Sequence, residues 1–118
     1  MLVTRMYARE DGESLFEDVQ LEDMSVLSAE NRISPRSGSL LYRPDEPAIE
    51  AWHNPGAGRP DAPKRLLNVI LEGELIVEVS SGERRTFKPG SVLLAEDATG
   101  RGHRSWTNSC STFVIALE

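Results

Sequence analysis

Short apolar stretches, separated by turn-forming residues, dominate the second half of the chain. Gly73, Gly82 and Gly90 recur at the spacing expected of hairpin turns. The pattern predicts strands at residues 66–71, 75–79, 84–88, 92–95, 103–107 and 112–117. Many short strands at close spacing, with no predicted helix of more than two turns, are typical of an all-β sandwich or closed barrel.

The first half is predicted to contain further strands and one irregular segment. Strands at residues 2–8 and 15–21 flank the turn-forming residues 10–13. A helical turn within residues 21–30, a loop at 31–39 and strands at 40–43 and 48–53 follow. Residues 54–63 contain three prolines and two glycines, a composition that continues neither a strand ladder nor a helix.

Length and charge narrow the possible function classes. A chain of 118 residues is long enough for one hydrophobic core, so we expect a single domain over residues 1–118. The net charge of −6 arises in residues 1–50, which carry eleven acidic and five basic side chains. No cluster of lysine and arginine supplies the phosphate-binding surface that nucleic-acid binding needs, so nucleic acid is not an expected partner.

The compartment is predicted from two kinds of segment that the sequence lacks. Residues 1–5 do not open a long apolar signal segment, and no run approaches the roughly 20 apolar residues of a membrane helix. We therefore expect a cytoplasmic protein with no membrane partner.

Cys110 is the only cysteine, which excludes an internal disulfide and a zinc site made of several cysteines. Its apolar surroundings predict a buried thiol.

Several segments resemble the sequence motifs of the cupin family. Residues 71–75 (LEGEL) resemble the Gly-Glu hairpin that closes the first cupin motif, and residues 88–92 (KPGSV) resemble the turn that opens the second. His103, followed by Asn108, resembles the terminal histidine and asparagine of that second motif. Residues 11–18 (DGESLFED) and 96–103 (EDATGRGH) are also similar to segments of a subgroup of short bacterial cupins.

The resemblance implies a cupin-type double-stranded β-helix, or jelly-roll barrel, that forms a homodimer through one sheet. Many members bind a divalent metal through three histidines and a glutamate, whereas others bind ligands without a metal. This chain departs from the metal motif at two places. Leu66 stands seven residues before Gly73, where the motif has its glutamate. Residues 54–63 replace the paired histidines and leave His53 upstream of them.

Both histidines, one asparagine and one serine are candidates for a pocket inside the barrel. His103 and His53 are the only histidines, and an imidazole serves near neutral pH as a general base or a metal ligand. Strand alternation places Asn68 on the face that the family directs inward, and Ser105 shares a face with His103. The alternative is a structural role, as hydrogen-bonded histidines at a barrel mouth and a satisfied core amide.

Four aromatic residues are candidates for stacking on a ligand. They are Trp52, Tyr42, Trp106 and Phe113. Core packing or dimer contacts are the alternative interpretation, because aromatic side chains in a small β-barrel more often serve those roles.

Three hypotheses for the function follow. The leading one is a small-molecule-binding protein whose pocket is lined by His103, His53 and Asn68, with either histidine available as a general base. The first alternative is a metal-dependent oxygenase, isomerase or lyase in which both histidines and a carboxylate hold iron, manganese, nickel or zinc. The candidate carboxylates are Glu50, Asp61, Glu96 and Asp97. For Glu96 and Asp97, which follow a strand, solvated or turn-capping carboxylates are the favoured interpretation. The second alternative is an interaction module with a filled barrel and an acidic partner surface.

Overall fold

The chain folds into strands, as the apolar pattern predicts. A computed structural model describes residues 1–23, 35–44, 52–55 and 64–117. Its seven strands are β1 (Leu2–Ala8), β2 (Ser14–Gln20), β3 (Pro35–Arg43), β4 (Leu66–Val79), β5 (Arg84–Phe87), β6 (Val92–Ala95) and β7 (His103–Leu117). The only helix within these residues is the 3-10 turn Leu21–Asp23, and none is long and apolar enough to span a membrane. The all-β prediction is confirmed.

The strands form one mixed sheet centred on β4. The order is β2-β1-β6-β4-β7-β3, and β5 pairs with β4 beside this path. Among the strand pairs that the structure describes, β1 and β6 run parallel and the others are antiparallel. β7 pairs with β4 along both halves of that strand, whereas β6 pairs with the first half of β4 and β5 with the second. Within the described residues the ladder does not close between β2 and β3.

The glycine at the middle of β4 forms a bulge where a hairpin was predicted. The register of β4 against β7 shifts twice between Ile70 and Glu74. Gly73 has a φ of +67°, and a Cβ there would lie 2.1 Å from the carbonyl oxygen of Ser109 on β7. Residues 71–75 are therefore an irregular part of one long strand. The hairpin prediction was wrong because a glycine beside polar residues suits a bulge as well as a turn.

The bulge curves β4 so that both halves of the strand face one core. Before it, the core side chains have even numbers, such as Ile70, and after it they have odd numbers, such as Val77. Leu66 and Leu75 are nine residues apart in the sequence, a separation of about 30 Å along a straight strand. Both nevertheless line the same small cavity. The strand therefore wraps around the core.

Other predicted boundaries hold to different degrees. The strands predicted at residues 2–8 and 92–95 are confirmed, and the one predicted at 15–21 is displaced by one residue. The predicted loop at residues 31–39 is wrong from Pro35 onward, because Pro35–Arg43 pairs with β7. Residues 103–107 and 112–117 belong to one strand. The predicted helical turn begins at Leu21, but residues 24–30 lie outside the described residues, as do residues 48–51.

The core occupies both faces of the central strands. One cluster contains Met6, Phe16, Ile70, Leu75, Val77, Val79, Phe87, Leu93, Ala95 and Cys110. A second, smaller cluster contains Val3, Leu67, Leu94 and Leu117. Because adjacent strand residues point to opposite faces, Leu93 enters the first cluster and Leu94 the second. The first cluster supplies the apolar wall of the cavity at the candidate site.

Candidate functional site

A backbone bridge brings the two histidines together. The N–H of His53 donates to the carbonyl oxygen of His103 at 2.8 Å, and the N–H of His103 donates back to His53 at 2.8 Å. Their rings meet edge to face, with centroids 4.5 Å apart. Gly102 permits this approach, because its φ is +81° and a Cβ there would lie 2.0 Å from the carbonyl oxygen of His53. Gly102 thus makes room for the segment that carries His53.

A buried aspartate holds the ring of His103. Asp97 is fully buried, and its Oδ2 lies 2.7 Å from Nδ1 of His103. The hydroxyl of Ser14 donates to the same oxygen at 3.0 Å. The side-chain amide of Asn54 donates to the backbone carbonyl of Asp97 at 2.7 Å and so ties the His53 segment to the loop that carries Asp97. Among the described residues, Oδ1 of Asp97 has no hydrogen-bond partner.

The environment of the two adjacent carboxylates corrects the sequence interpretation. Both were expected to be solvated or to cap a turn, but Asp97 is buried against His103. Glu96 accepts from Nε of Arg5 at 2.5 Å and from Nε of Arg65 at 2.7 Å. Ser14 lies in residues 11–18 and Asp97 in residues 96–103, the two segments that resemble those of short bacterial cupins. That resemblance could have directed attention to both side chains. The contact between them joins residues that are distant in sequence.

A cavity of about 140 Å³ lies beside the histidine pair. Its polar lining consists of Arg43, His53, Asn68, His103 and Ser105. Its apolar lining consists of Met6, Pro55, Leu66, Leu75, Leu93 and Ala95. The structure therefore brings together four of the residues singled out from the sequence, namely His53, Asn68, His103 and Ser105. They come from the short bridge segment, the first half of β4 and the beginning of β7.

Some polar groups of this lining are unsatisfied within the protein. Among the described residues, no hydrogen bond engages the amide of Asn68, the hydroxyl of Ser105 or Nε2 of His103. Ser105 and His103 are only 7% and 9% exposed. Polar groups that line a cavity and have no partner in the protein are free to bind a molecule that enters it.

The candidate aromatic residues lie elsewhere. The guanidinium groups of Arg101 and Arg104 lie over the ring of Trp52, at 5.7 and 4.6 Å from its centre. The guanidinium group of Arg84 lies over the ring of Trp106, at 4.6 Å from its centre. Tyr42 is 64% exposed on β3. None of the four candidate aromatic residues lines the 140 Å³ cavity.

The described residues do not fit the metal site that the cupin resemblance implies. No three of their histidine, cysteine, aspartate and glutamate side chains are grouped so as to hold an ion. Leu66 forms part of the cavity wall, and Glu96 is engaged by two arginines. Glu50 and Asp61 lie outside the described residues. Within the described part of the chain, His53 and His103 have no third metal-binding side chain grouped with them.

The single cysteine is part of the core, as expected. Cys110 is fully buried and free. Burial raises the pKa of its thiol, and the positive charge of Arg43 lowers it by a smaller amount. A buried thiol of this kind is a poor nucleophile at neutral pH, because the thiolate is the reactive form.

The fold resembles one that is known from crystallography. The crystal structure of protein NMB1881 from Neisseria meningitidis is similar, with a TM-score of 0.50 and 15% sequence identity over 98% of this chain and 82% of that chain. At this identity the likeness concerns the fold alone. No protein-family model matches the chain, and no curated protein matches it significantly.

Proposed function

We propose that this chain is a small-molecule-binding protein and that its ligand occupies the cavity beside His53 and His103. The observation that carries the proposal is that Asn68, Ser105 and His103 each bring to one cavity a polar group that has no hydrogen-bond partner in the described protein. The rest of the wall is largely apolar. A concave, mostly apolar site with a few convergent polar groups is the usual form of a small-ligand site.

The cavity volume limits the size of the ligand. An apolar cavity of about 150 Å³ accommodates one benzene molecule, and this cavity measures about 140 Å³. We therefore expect a compact ligand of about six to eight non-hydrogen atoms. Its apolar part would pack against Met6, Leu75 and Leu93, and its polar part would bind Asn68, Ser105 and His103.

We further propose that the fold is a cupin-type jelly-roll barrel. Two features support the assignment. Gly90, with a φ of +91°, forms the turn before β6, where the second cupin motif would begin. His103 opens β7 and faces the interior, where that motif would end.

We also infer a homodimer formed through the β3 side of the sheet. Strand β3 is at one end of the sheet path, and its neighbourhood exposes large apolar side chains. These are Leu40 (73%), Leu41 (44%), Tyr42 (64%), Leu71 (46%) and Phe113 (39%). Contiguous apolar surface of this kind is typical of an interaction site. A second copy is the proposed occupant, because an edge strand can pair with its own copy about a twofold axis.

A fragment screen tests the ligand proposal. Saturation-transfer NMR with compact polar fragments should yield ligands whose binding depends on the cavity. Asn68→Ala should weaken them about 3- to 10-fold, because one hydrogen bond is lost. Asn108→Ala is the matched control, since Asn108 is an exposed asparagine on β7 whose only described contact is to Glu74 at 3.4 Å. Binding that is unchanged in both Asn68→Ala and Ser105→Ala would reject this cavity as the site.

A further inference from the structure

We propose that His103 is a general base and that the ligand is a small carbonyl compound, from which His103 removes a proton at the carbon beside the carbonyl group. This inference rests on the proposed function, because the compound must occupy the same cavity. It is carried by the orientation of His103, by the burial of Asp97, and by the hydrogen-bond donors in the cavity wall.

Asp97 determines which nitrogen of His103 is basic. An ionised carboxylate only accepts hydrogen bonds, so with Asp97 in that form the 2.7 Å contact assigns a proton to Nδ1 of His103. In the neutral ring the lone pair is then on Nε2, and the ring lines the cavity. The hydroxyl of Ser14 holds the same carboxylate oxygen in place. A carboxylate that orients a histidine and stabilises its protonated form is a recurring device of general-base catalysis.

The burial of Asp97 is difficult to explain by folding stability. Its side chain is fully buried, and Oδ1 has no partner among the described residues. Arg5 and Arg65 form ion pairs with the neighbouring carboxylate, Glu96. An under-satisfied buried carboxylate lowers the stability of a fold. The same carboxylate becomes favourable once His103 carries a proton taken from a substrate, because the two charges then form a buried pair.

The side chains in the cavity wall suit an enolate. The lone pair of Nε2 takes the proton from the α-carbon, and the C–H electron pair forms the C=C bond. The carbonyl π electrons move to oxygen, for which the amide of Asn68 and the hydroxyl of Ser105 are proposed as donors, in a cavity wall that also contains Arg43 and His53. Donors aimed at a developing oxyanion in a dry site stabilise the transition state.

The step needs no further reactant. The Nε2–H of the imidazolium exchanges with solvent before a hydrogen returns to the same carbon, which leaves a solvent hydrogen there. Its transfer to the enolate oxygen instead gives the tautomer. Atoms and electrons balance without an oxidant or a reductant. The cavity volume of about 140 Å³ favours compact carbonyl compounds.

Deuterium exchange tests the proposal directly. The protein is incubated in D2O with pyruvate, hydroxyacetone, cyclopentanone or acetylacetone, and loss of the α-proton signal is followed by ¹H NMR. For at least one compound we expect exchange about 100-fold or more faster than with an equal concentration of free imidazole. Saturation transfer to the same compounds measures their binding in parallel.

Variants separate the roles of the residues. His103→Gln should reduce exchange by about 10²- to 10⁴-fold, and Ser105→Ala and Asn68→Ala should reduce it without affecting the Asp97 contact. Asp97 is a positioning residue, so Asp97→Asn should slow exchange while binding of the carbonyl compound stays within about twofold. ¹⁵N spectra of His103 should show the Nδ1–H tautomer in the wild type and its loss in Asp97→Asn. Glu83→Gln, an exposed carboxylate-to-amide change on a hairpin, is the control.

Each outcome decides between the two proposals. A compound that binds in the cavity but does not exchange faster than with imidazole overturns the general-base inference and leaves ligand binding intact. Exchange that survives in His103→Gln, Ser105→Ala and Asn68→Ala also overturns it. If no carbonyl compound binds, the inference fails. If the fragment screen then shows no ligand sensitive to Asn68→Ala or Ser105→Ala either, the proposed function fails with it.

Discussion

Gly102 illustrates how single residues create the candidate site. Gly102 has a positive φ and no side chain, so the carbonyl group of His53 can approach its Cα closely. A Cβ atom at this position would lie only 2.0 Å from that carbonyl oxygen. The reciprocal backbone hydrogen bonds between His53 and His103 depend on that approach. The side-chain chemistry of the site is thus supported by a residue that has no side chain.

We predict that Gly102→Ala destabilises the protein and disturbs the histidine pair. Both the strained φ and the clash with the carbonyl of His53 contribute, so the loss in free energy of unfolding should exceed about 1 kcal/mol. Gly82→Ala is the matched control, because Gly82 has a φ of +105° but nothing within 4 Å of the added Cβ. Urea denaturation measures both variants. Equal losses would show that the contact with His53 contributes nothing beyond backbone strain.

At the level of elements, β4 connects its neighbours through backbone ladders and one carboxylate. Glu78 on β4 accepts from Arg84 on β5 at 2.9 Å and from Arg104 on β7 at 2.7 Å. These hydrogen bonds, first from Arg84 and then from Arg104, lower the pKa of Glu78 below its ordinary value of 4.5. The ion pairs therefore join three adjacent strands beyond the bulge.

The lowered pKa of Glu78 predicts a pH-dependent contribution to stability. Because the unfolded chain binds the proton more readily, the contribution is present above pH 4.5 and is lost as the pH falls through the folded-state pKa. Glu78→Gln should therefore be less stable than the wild type at neutral pH, and the difference should shrink below pH 4.5.

Urea denaturation at a series of pH values measures this effect. Glu74→Gln is the control on the same strand, because the described contact of Glu74 is to the amide of Asn108 and not to an arginine. If the difference in free energy of unfolding between the wild type and Glu78→Gln stays constant down to acidic pH, the proposed role of the Glu78 charge is contradicted.

For the whole molecule, the distribution of apolar surface is the main unexplained feature. The core is well packed around β4, yet large apolar side chains remain exposed around β3. A shallow depression there is lined by Leu40, Leu41, Tyr42, Leu71, Glu72 and Ser111. It lies apart from the histidine cavity, with which it shares no lining residue.

If the protein is a homodimer, its mass in solution at micromolar concentration should be twice that of one chain. Leu40→Lys should shift the protein toward the monomer, because a charge would have to be buried in the interface. Leu2→Lys is the control, since Leu2 is also 60% exposed but lies on β1. Analytical ultracentrifugation distinguishes the states. A monomeric wild type, or equal effects of the two substitutions, would exclude an interface at β3.

The amino-acid pattern was sufficient to predict the strands, the all-β class and the position of His103 at the start of a strand. These features depend on local alternation and on turn residues, which are visible in a short window of sequence. The same local view misread Gly73, because a bulge and a hairpin use similar residues. It also placed Asp97 in solvent, because the loop after β6 has the composition of an exposed turn.

The remaining features depend on contacts between distant segments. Asp97 is buried because the loop that carries it meets Ser14, 83 residues away in the sequence. The meeting of Asn68 with Ser105 and His103 depends on the curvature that the bulge imposes on β4. Local preference determines which residues form strands, but burial and the convergence of side chains are properties of the folded chain. The cavity and the Asp97–His103 pair were therefore established by the tertiary structure.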